Sequence, residues 1–247
     1  MRHDSTLRRR PTIVPTGHGV TIGPLHPAHS SGRSIFPGRV FDPHEVKRVL
    51  KDGHQNRKIG RQVRKGRRRG WPIYTLTLEE RATCPRACVA WSYCYGNTSQ
   101  AAERLVAGPE LEEALWAELA QLQASHPAGF LVSLHILGDF YSIDYVTMWE
   151  LALGEFPALH VFGFTARDAD ADPIGRMLHD MACATWDRFA IRFSGREGPM
   201  MASRIIDHGQ DSDPEAITCP AQTGKSQCCA TCMLCVYSER SIAFARH

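Results

Sequence analysis

No stretch of this 247-residue chain approaches the apolar length needed to span a bilayer, and the basic amino end, Met1 to Pro11, is not followed by the apolar run of a secretory signal. Both absences point to a cytoplasmic protein with no membrane partner, whose thiols stay reduced. Also missing are a HExxH zinc helix, a phosphate-cradling glycine loop and any arrangement resembling a Ser/His/Asp triad, so hydrolases and kinases rank low. There is no internal repeat. A hydrophobic content of 43% can build a core without cross-links, so the nine cysteines are not needed as disulfide staples.

What the chain does have is cysteine in two tight groups. Cys84, Cys88 and Cys94 follow an expected strand, and Cys219, Cys228, Cys229, Cys232 and Cys235 crowd the carboxyl end. Bunching of this kind, with no secretory signal, points to metal or cluster ligands rather than a disulfide framework. The run Cys229-x2-Cys232-x2-Cys235 has ferredoxin-type spacing, with Cys219 upstream as a fourth ligand. Zinc is the competing metal, since four thiolates close a tetrahedral Zn²⁺ site. The repeated two-residue gap through a third cysteine favours iron–sulfur in the tail. Cys228 is expected to be spare, and Cys183, on a predicted helix, to be a small core residue.

Charge is divided just as unevenly. Residues 1–70 carry 17 Lys+Arg against 4 Asp+Glu, whereas residues 71–247 carry 12 against 22. The dense segment comprises Lys47, Arg48, Lys51, Arg57, Lys58, Arg61, Arg64, Lys65, Arg67, Arg68 and Arg69, opposed only by Asp52. Such a run repels itself and is poorly suited to burial. It reads either as a phosphate-tracking arm for RNA or DNA or as a solvated tail, and it lacks interleaved aromatics for base stacking. Residues 11–43 are rich in Pro, Gly, Ser and His without periodicity, so most of 1–70 is expected to be irregular.

From Trp71 the pattern alternates. Strands are predicted over 73–78, 130–137, 159–165 and 189–193. Helices are predicted from Pro109, with Leu111, Leu115, Leu119 and Leu122 on one face, from Ser142 to Leu153, and from Asp172-Pro173 to about Cys183. This gives an α/β fold with parallel strands, either a partial (β/α) barrel or an open parallel sheet. A basic, largely irregular arm (1–70) precedes the α/β domain (71–210), and a Cys-rich metal-binding tail (211–247) follows it. Chemistry in such folds gathers at the carboxyl ends of strands. Those ends carry the three-cysteine loop, Gly138-Asp139, Arg167 and Ser194. Asp139 and Arg167 read equally well as capping or salt-bridge residues, and His135 reads as a satisfied core histidine.

Four segments carry a resemblance: Thr83 to Tyr95, Leu137 to Ser142 with Trp149 downstream, Phe162 to Arg167, and the tail beginning Cys219-Pro-Ala. They look like the phage gene-product-eighty-eight domain family, over roughly residues 71–240; that resemblance supplies no reaction. A strand followed directly by a three-cysteine loop with an aromatic before the last cysteine, Tyr93-Cys94, is similar to the radical S-adenosylmethionine enzymes. That similarity implies a [4Fe-4S] cluster held by Cys84, Cys88 and Cys94 with one iron open to S-adenosylmethionine. It further implies Gly138-Asp139 at the cofactor's amino group, and Arg167 and Ser194 at its carboxylate and ribose. The spacing Cys84-x3-Cys88-x5-Cys94 departs from that family, whose second gap is commonly two residues.

Two functions from different classes follow. One is a radical-SAM-like iron–sulfur enzyme with one or two clusters, an electron donor as partner and a nucleic acid as a candidate substrate. The other is a non-catalytic nucleic-acid-binding protein stabilised by zinc or iron–sulfur.

Overall fold

The computed structural model describes residues 20–195, 201–206, 215–238 and 240–245. The first nineteen residues of the expected basic arm and residues 211–214 of the expected tail lie outside them. In chain order the elements are α1 (Pro27–Ser31), β1 (Val40–Phe41), β2 (Lys51–Asp52), β3 (Ile73–Thr75), β4 (Arg104–Leu105), α2 (Pro109–Ser125), β5 (Phe130–Leu134), α3 (Ile143–Glu155), β6 (Leu159–Thr165), α4 (Pro173–Thr185), β7 (Phe189–Ser194), β8 (Ala202–Ile206), β9 (Ala216–Thr218), α5 (Cys229–Cys232), α6 (Leu234–Tyr237) and β10 (Ser241–Ala245). No helix among the described residues is long and apolar enough to cross a membrane.

Eight strands form one sheet in the order β2-β3-β5-β6-β7-β8-β10-β9. Every neighbouring pair is parallel except β2 against β3. The sheet runs from one edge strand to the other with no closure among the described residues, so it is open rather than a barrel. The expected strand over 130–137 is regular only to Leu134. Beyond it the Ile136 amide still reaches Leu76 O (2.8 Å) and the Leu78 amide reaches Leu137 O (3.0 Å), so these two strands splay without parting.

Alternation along the strands separates two faces. Phe130, Val132, Leu134, Val161, Phe189, Ile191 and Phe193 pack with the leucine stripe of α2 and the buried faces of α3 and α4. Leu131, Phe162 and Ala190 pack instead with Ile59, Val63, Cys228, Ala230, Met233 and Val236. One face of the sheet therefore carries the helices, and the other carries the Cys-rich tail and a piece of the basic segment. Apolar burial at about 25 cal/mol per Å² makes both faces part of the folded core.

The segment 47–69 is accordingly not a free arm. Val49, Leu50, Ile59 and Val63 are buried, and β2 pairs with β3. Residues 58–64 bond to the tail through Cys229 N to Lys58 O (2.8 Å), Ala230 N to Ile59 O (2.8 Å) and Arg64 N to Ala230 O (2.9 Å). Gly60 sits at φ +87°, and a Cβ there would lie 2.8 Å from Cys228 Sγ, so only glycine permits this approach. Arg68 is itself fully buried. Its guanidinium bonds to the Asp187 carbonyl and carboxylate and to His160 Nδ1 (3.1 Å), and it stacks on Tyr237. A charge run predicts exposure only when its members lack partners, and Arg68 has several.

Candidate functional site

The three-cysteine loop leaves the end of β3 over a buried ionic platform. Glu80, fully buried, accepts from Arg104 Nε at 2.6 Å and from Ser34 Oγ at 2.9 Å. Arg104 then reaches the carbonyls of Gly96, Ser99 and Ala102 on the far side of the loop. Arg81 donates to the Trp91 carbonyl and to Asn97 Oδ1, and Asn97 donates to the carbonyls of Val20 and Ser92. With both ends of the loop anchored in this way, the cysteines are held by pairing of charge and backbone rather than by a disulfide, and all three are free thiols.

Burial and hydrogen bonding act on these thiols in opposite directions. Burial pushes Cys84 well above the usual thiol range, Cys88 upward and Cys94 to about 11. Opposing this, each sulfur receives a backbone amide, from Arg81, Ala90 and Gly96 respectively, and Arg81 adds positive charge at Cys88 and Cys94. The Gly96 amide lies 3.4 Å from Cys94 Sγ. Arg81 Nη1 is buried with no hydrogen-bond partner among the described residues. Amide-to-sulfur bonds and the positive charge of Arg81, itself ion-paired to Glu80 at 3.9 Å, favour the deprotonated form, against a larger effect of burial that favours the neutral thiol.

Gly138, Asp139 and Arg167 come together beside this loop. Gly138 has φ +87°, and a Cβ there would fall 2.6 Å from Leu78 Cβ and 2.7 Å from Thr83 Oγ1. Asp139 accepts from Thr165 Oγ1 (2.7 Å) and the amides of Phe140 (2.8 Å) and Ala166 (2.7 Å), while its own amide donates to Thr83 Oγ1. Burial raises it to about 6, and those bonds and Arg167 oppose the shift. It is close enough to Cys84 to disfavour that thiolate. Arg167 donates to the carbonyls of Phe140 and Thr83 and to Asp172 Oδ2, while Asp172 Oδ1 caps α4. Arg167 thus fills the salt-bridge role that its position also suggested, whereas Asp139 caps no helix and makes no salt bridge among the described residues; together they tie the ends of β5 and β6 to the cysteine loop.

In the tail, Cys219, Cys229, Cys232 and Cys235 influence one another electrostatically, with Lys58, Lys65 and Arg192 as the nearby cations. Burial raises Cys229, and it pushes Cys235 up to about 12. Arg192, at the centre of β7 and fully buried, donates to the carbonyls of Cys235 (2.9 Å), Ser238 (2.6 Å) and Arg240 (3.1 Å). Its guanidinium stacks on Trp186, whose Nε1 donates to Val236 O. Cys228 packs in the core and stands 3.6 Å from Thr231 Oγ1. Cys183 is a correction: it is exposed on α4, 3.7 Å from His179 Nε2. Leu178 and Ala182 define the buried stripe of that helix, and position 183 lies about 100° round from it.

Between the sheet and the tail lies a cavity of about 290 Å³ at the carboxyl ends of β5, β6 and β7. The four tail cysteines line it together with Lys58, Tyr93, Tyr95, His135 and Ser194. Ser194 accepts from Ser203 Oγ at 3.3 Å and is separate from the Asp139–Arg167 clamp. His135 pairs with Tyr145 OH through Nε2 (3.0 Å), but its buried Nδ1 has no partner among the described residues, so it is only half satisfied. Burial lowers it to about 3, which keeps the ring neutral at neutral pH.

As placed, no group of three or more Cys, His, Asp or Glu among the described residues is arranged to hold a metal ion. A zinc site needs four donors about 2.3 Å from one point, whereas a [4Fe-4S] cluster carries each thiolate on a different iron and spreads its donors. All-thiol donor sets with amides on the sulfurs are the donor chemistry a cluster would use. Sequence patterning did not reveal Glu80, Arg81, Asn97, Arg104 or Arg192. Their only early signal was charge adjacent to cysteine or inside an apolar strand. The chain matches no family model, no curated protein and no solved structure.

Proposed function

We propose that this protein is an iron–sulfur protein of radical-SAM-like character, in which Cys84, Cys88 and Cys94 hold a [4Fe-4S] cluster and Cys219, Cys229, Cys232 and Cys235 hold a second. The observation that carries the reading is the trio of half-buried free thiols in the loop after β3, each met by a backbone amide and two of them by the charge of Arg81. Three thiolates leave one iron without a protein ligand. When bound, such a cluster can deliver an electron to a cofactor ligated at that iron, which is the part S-adenosylmethionine would play.

The chain's own residues set the stage for that chemistry. Arg104 and Glu80 fix the loop, and Arg81 compensates anionic sulfur in a buried setting. Asp139 places a carboxylate beside Cys84. One acceptor position on Asp139 Oδ2 is not taken by Ala166 and suits a cofactor ammonium group, whereas Arg167, whose donors are committed to Thr83, Phe140 and Asp172, would have to release one of them to meet the cofactor's carboxylate. At the tail, Arg192 and Lys58 offset the charge of four thiolates.

The test is metal and sulfide content after strictly anaerobic purification, followed by electron paramagnetic resonance of the reduced protein with and without S-adenosylmethionine. About 8 irons per chain and a spectrum perturbed by the cofactor are expected, with Cys94→Ser losing the perturbation. Reduction should also release 5′-deoxyadenosine slowly. A fully loaded protein that ignores S-adenosylmethionine would leave an iron–sulfur binding protein, and zinc without sulfide would leave the structural-metal alternative.

A further inference from the structure

Besides the four tail cysteines, the cavity beneath the tail has aromatic and cationic walls that the cluster reading does not account for. No aspartate or glutamate lines it, whereas Lys58 and Arg204 do. Arg204 is paired with Glu215. Lys58 forms no salt bridge among the described residues; its ammonium lies 5.8 Å from the centroid of Tyr95 and 5.6 Å from that of Phe244, both of which line the cavity. Phe244 in turn meets Phe164 edge to face at 5.3 Å. Aromatic walls with one cation held between them suit a flat π-system with a negative charge at its edge.

We infer that this cavity is a binding site for a planar aromatic ring carrying an anionic group, with the ring against Tyr95, Phe164 and Phe244 and the anion received by Lys58. The volume of about 290 Å³ matches one such ring system with a small acidic substituent rather than a large cofactor. A nucleoside monophosphate and an aromatic carboxylic acid share this chemistry. The inference goes beyond the iron–sulfur reading but shares Lys58 and the wall of tail cysteines with it, so iron is counted in the test to tell the two apart.

The experiment is isothermal titration of the full chain, as purified anaerobically, with guanosine 5′-monophosphate, guanosine, indole-3-acetate and neutral indole, with iron counted on the same samples. The anionic member of at least one pair should bind about tenfold to a hundredfold more tightly than its neutral partner, as a partly buried charge-assisted contact provides. Whichever pair shows the preference identifies the acid as phosphate or carboxylate. Lys58→Met should reduce that ratio to near one while keeping the neutral compound's affinity, and Lys58→Arg should restore most of it. Equal binding of charged and neutral members, or no binding of any of the four at millimolar concentration, overturns the proposal. So does a Lys58→Met protein that loses iron yet keeps the ratio, since Lys58 would then serve only the tail thiols. Iron-free protein that shows the full preference removes the cluster reading and leaves this site standing.

Discussion

Asp139 shows how one buried carboxylate can serve both scaffold and site. Its two oxygens receive a hydroxyl and two amides, so Asp139→Asn leaves the Ala166 amide facing a donor, which should destabilise the fold by about 1–3 kcal/mol in urea unfolding. The pH dependence has a definite sign. A carboxyl whose folded-state value is raised to about 6 contributes stability that is fully present below its ordinary value of 3.8 and is lost as pH rises through about 6. Wild-type unfolding midpoints should therefore fall, relative to Asp139→Asn, between about pH 4 and 6; parallel curves across that window would place the titration elsewhere. Cys183 supplies the contrast. It is exposed and outside both thiol groups, so Cys183→Ser should change stability by less than about 0.5 kcal/mol and leave iron content unaltered.

Among the elements, β7 and the tail are coupled through a single side chain. Arg192 satisfies carbonyls that α6 and the turn after it leave unpaired, in a place water does not reach. Arg192→Lys offers three donors on a flexible stem in place of a planar fork, so it should cost about 2–4 kcal/mol and lower iron retention at the tail more than at the loop. Equal loss at both cysteine groups would mean general unfolding instead. The strands β5, β6 and β7 were legible in the sequence as continuous apolar runs, and the helices α2, α3 and α4 by their period or their caps, as Ser142 and Asp172 show. The two- to five-residue strands β1, β2, β4, β8, β9 and β10 carry too few residues to show a period, and their places are set by partners distant in the chain. The cysteines of the site were legible as well, since thiols announce themselves by spacing. The platform of Glu80, Arg81 and Arg104 was not, because a charged residue reads as exposed until its buried partner is known.

For the molecule as a whole, the uneven charge distribution takes on a new meaning once the basic segment is part of the fold. Val49, Leu50, Ile59 and Val63 insert into the two hydrophobic clusters, so deleting residues 47–69 would unfold the protein and could not report on nucleic-acid binding. The exposed cations Lys47, Arg48, Arg57, Arg61, Arg64, Lys65, Arg67 and Arg69 instead form part of the surface of a rigid body, with Arg67 already paired to Asp187. We propose RNA or DNA as the partner of this surface. The clean test replaces Arg61, Arg64 and Lys65 together by glutamine, since all three are exposed and none holds a salt bridge among the described residues. If all three contact phosphates, log affinity for duplex DNA should lose about 0.9 of salt slope per residue replaced, measured by titration between about 50 and 200 mM salt, while the thermal midpoint stays unchanged. A slope that does not move, in a variant that remains folded, would assign the contact to other cations. If the wild-type protein shows no binding at the lowest salt, the segment's charge serves the fold and the tail thiols alone.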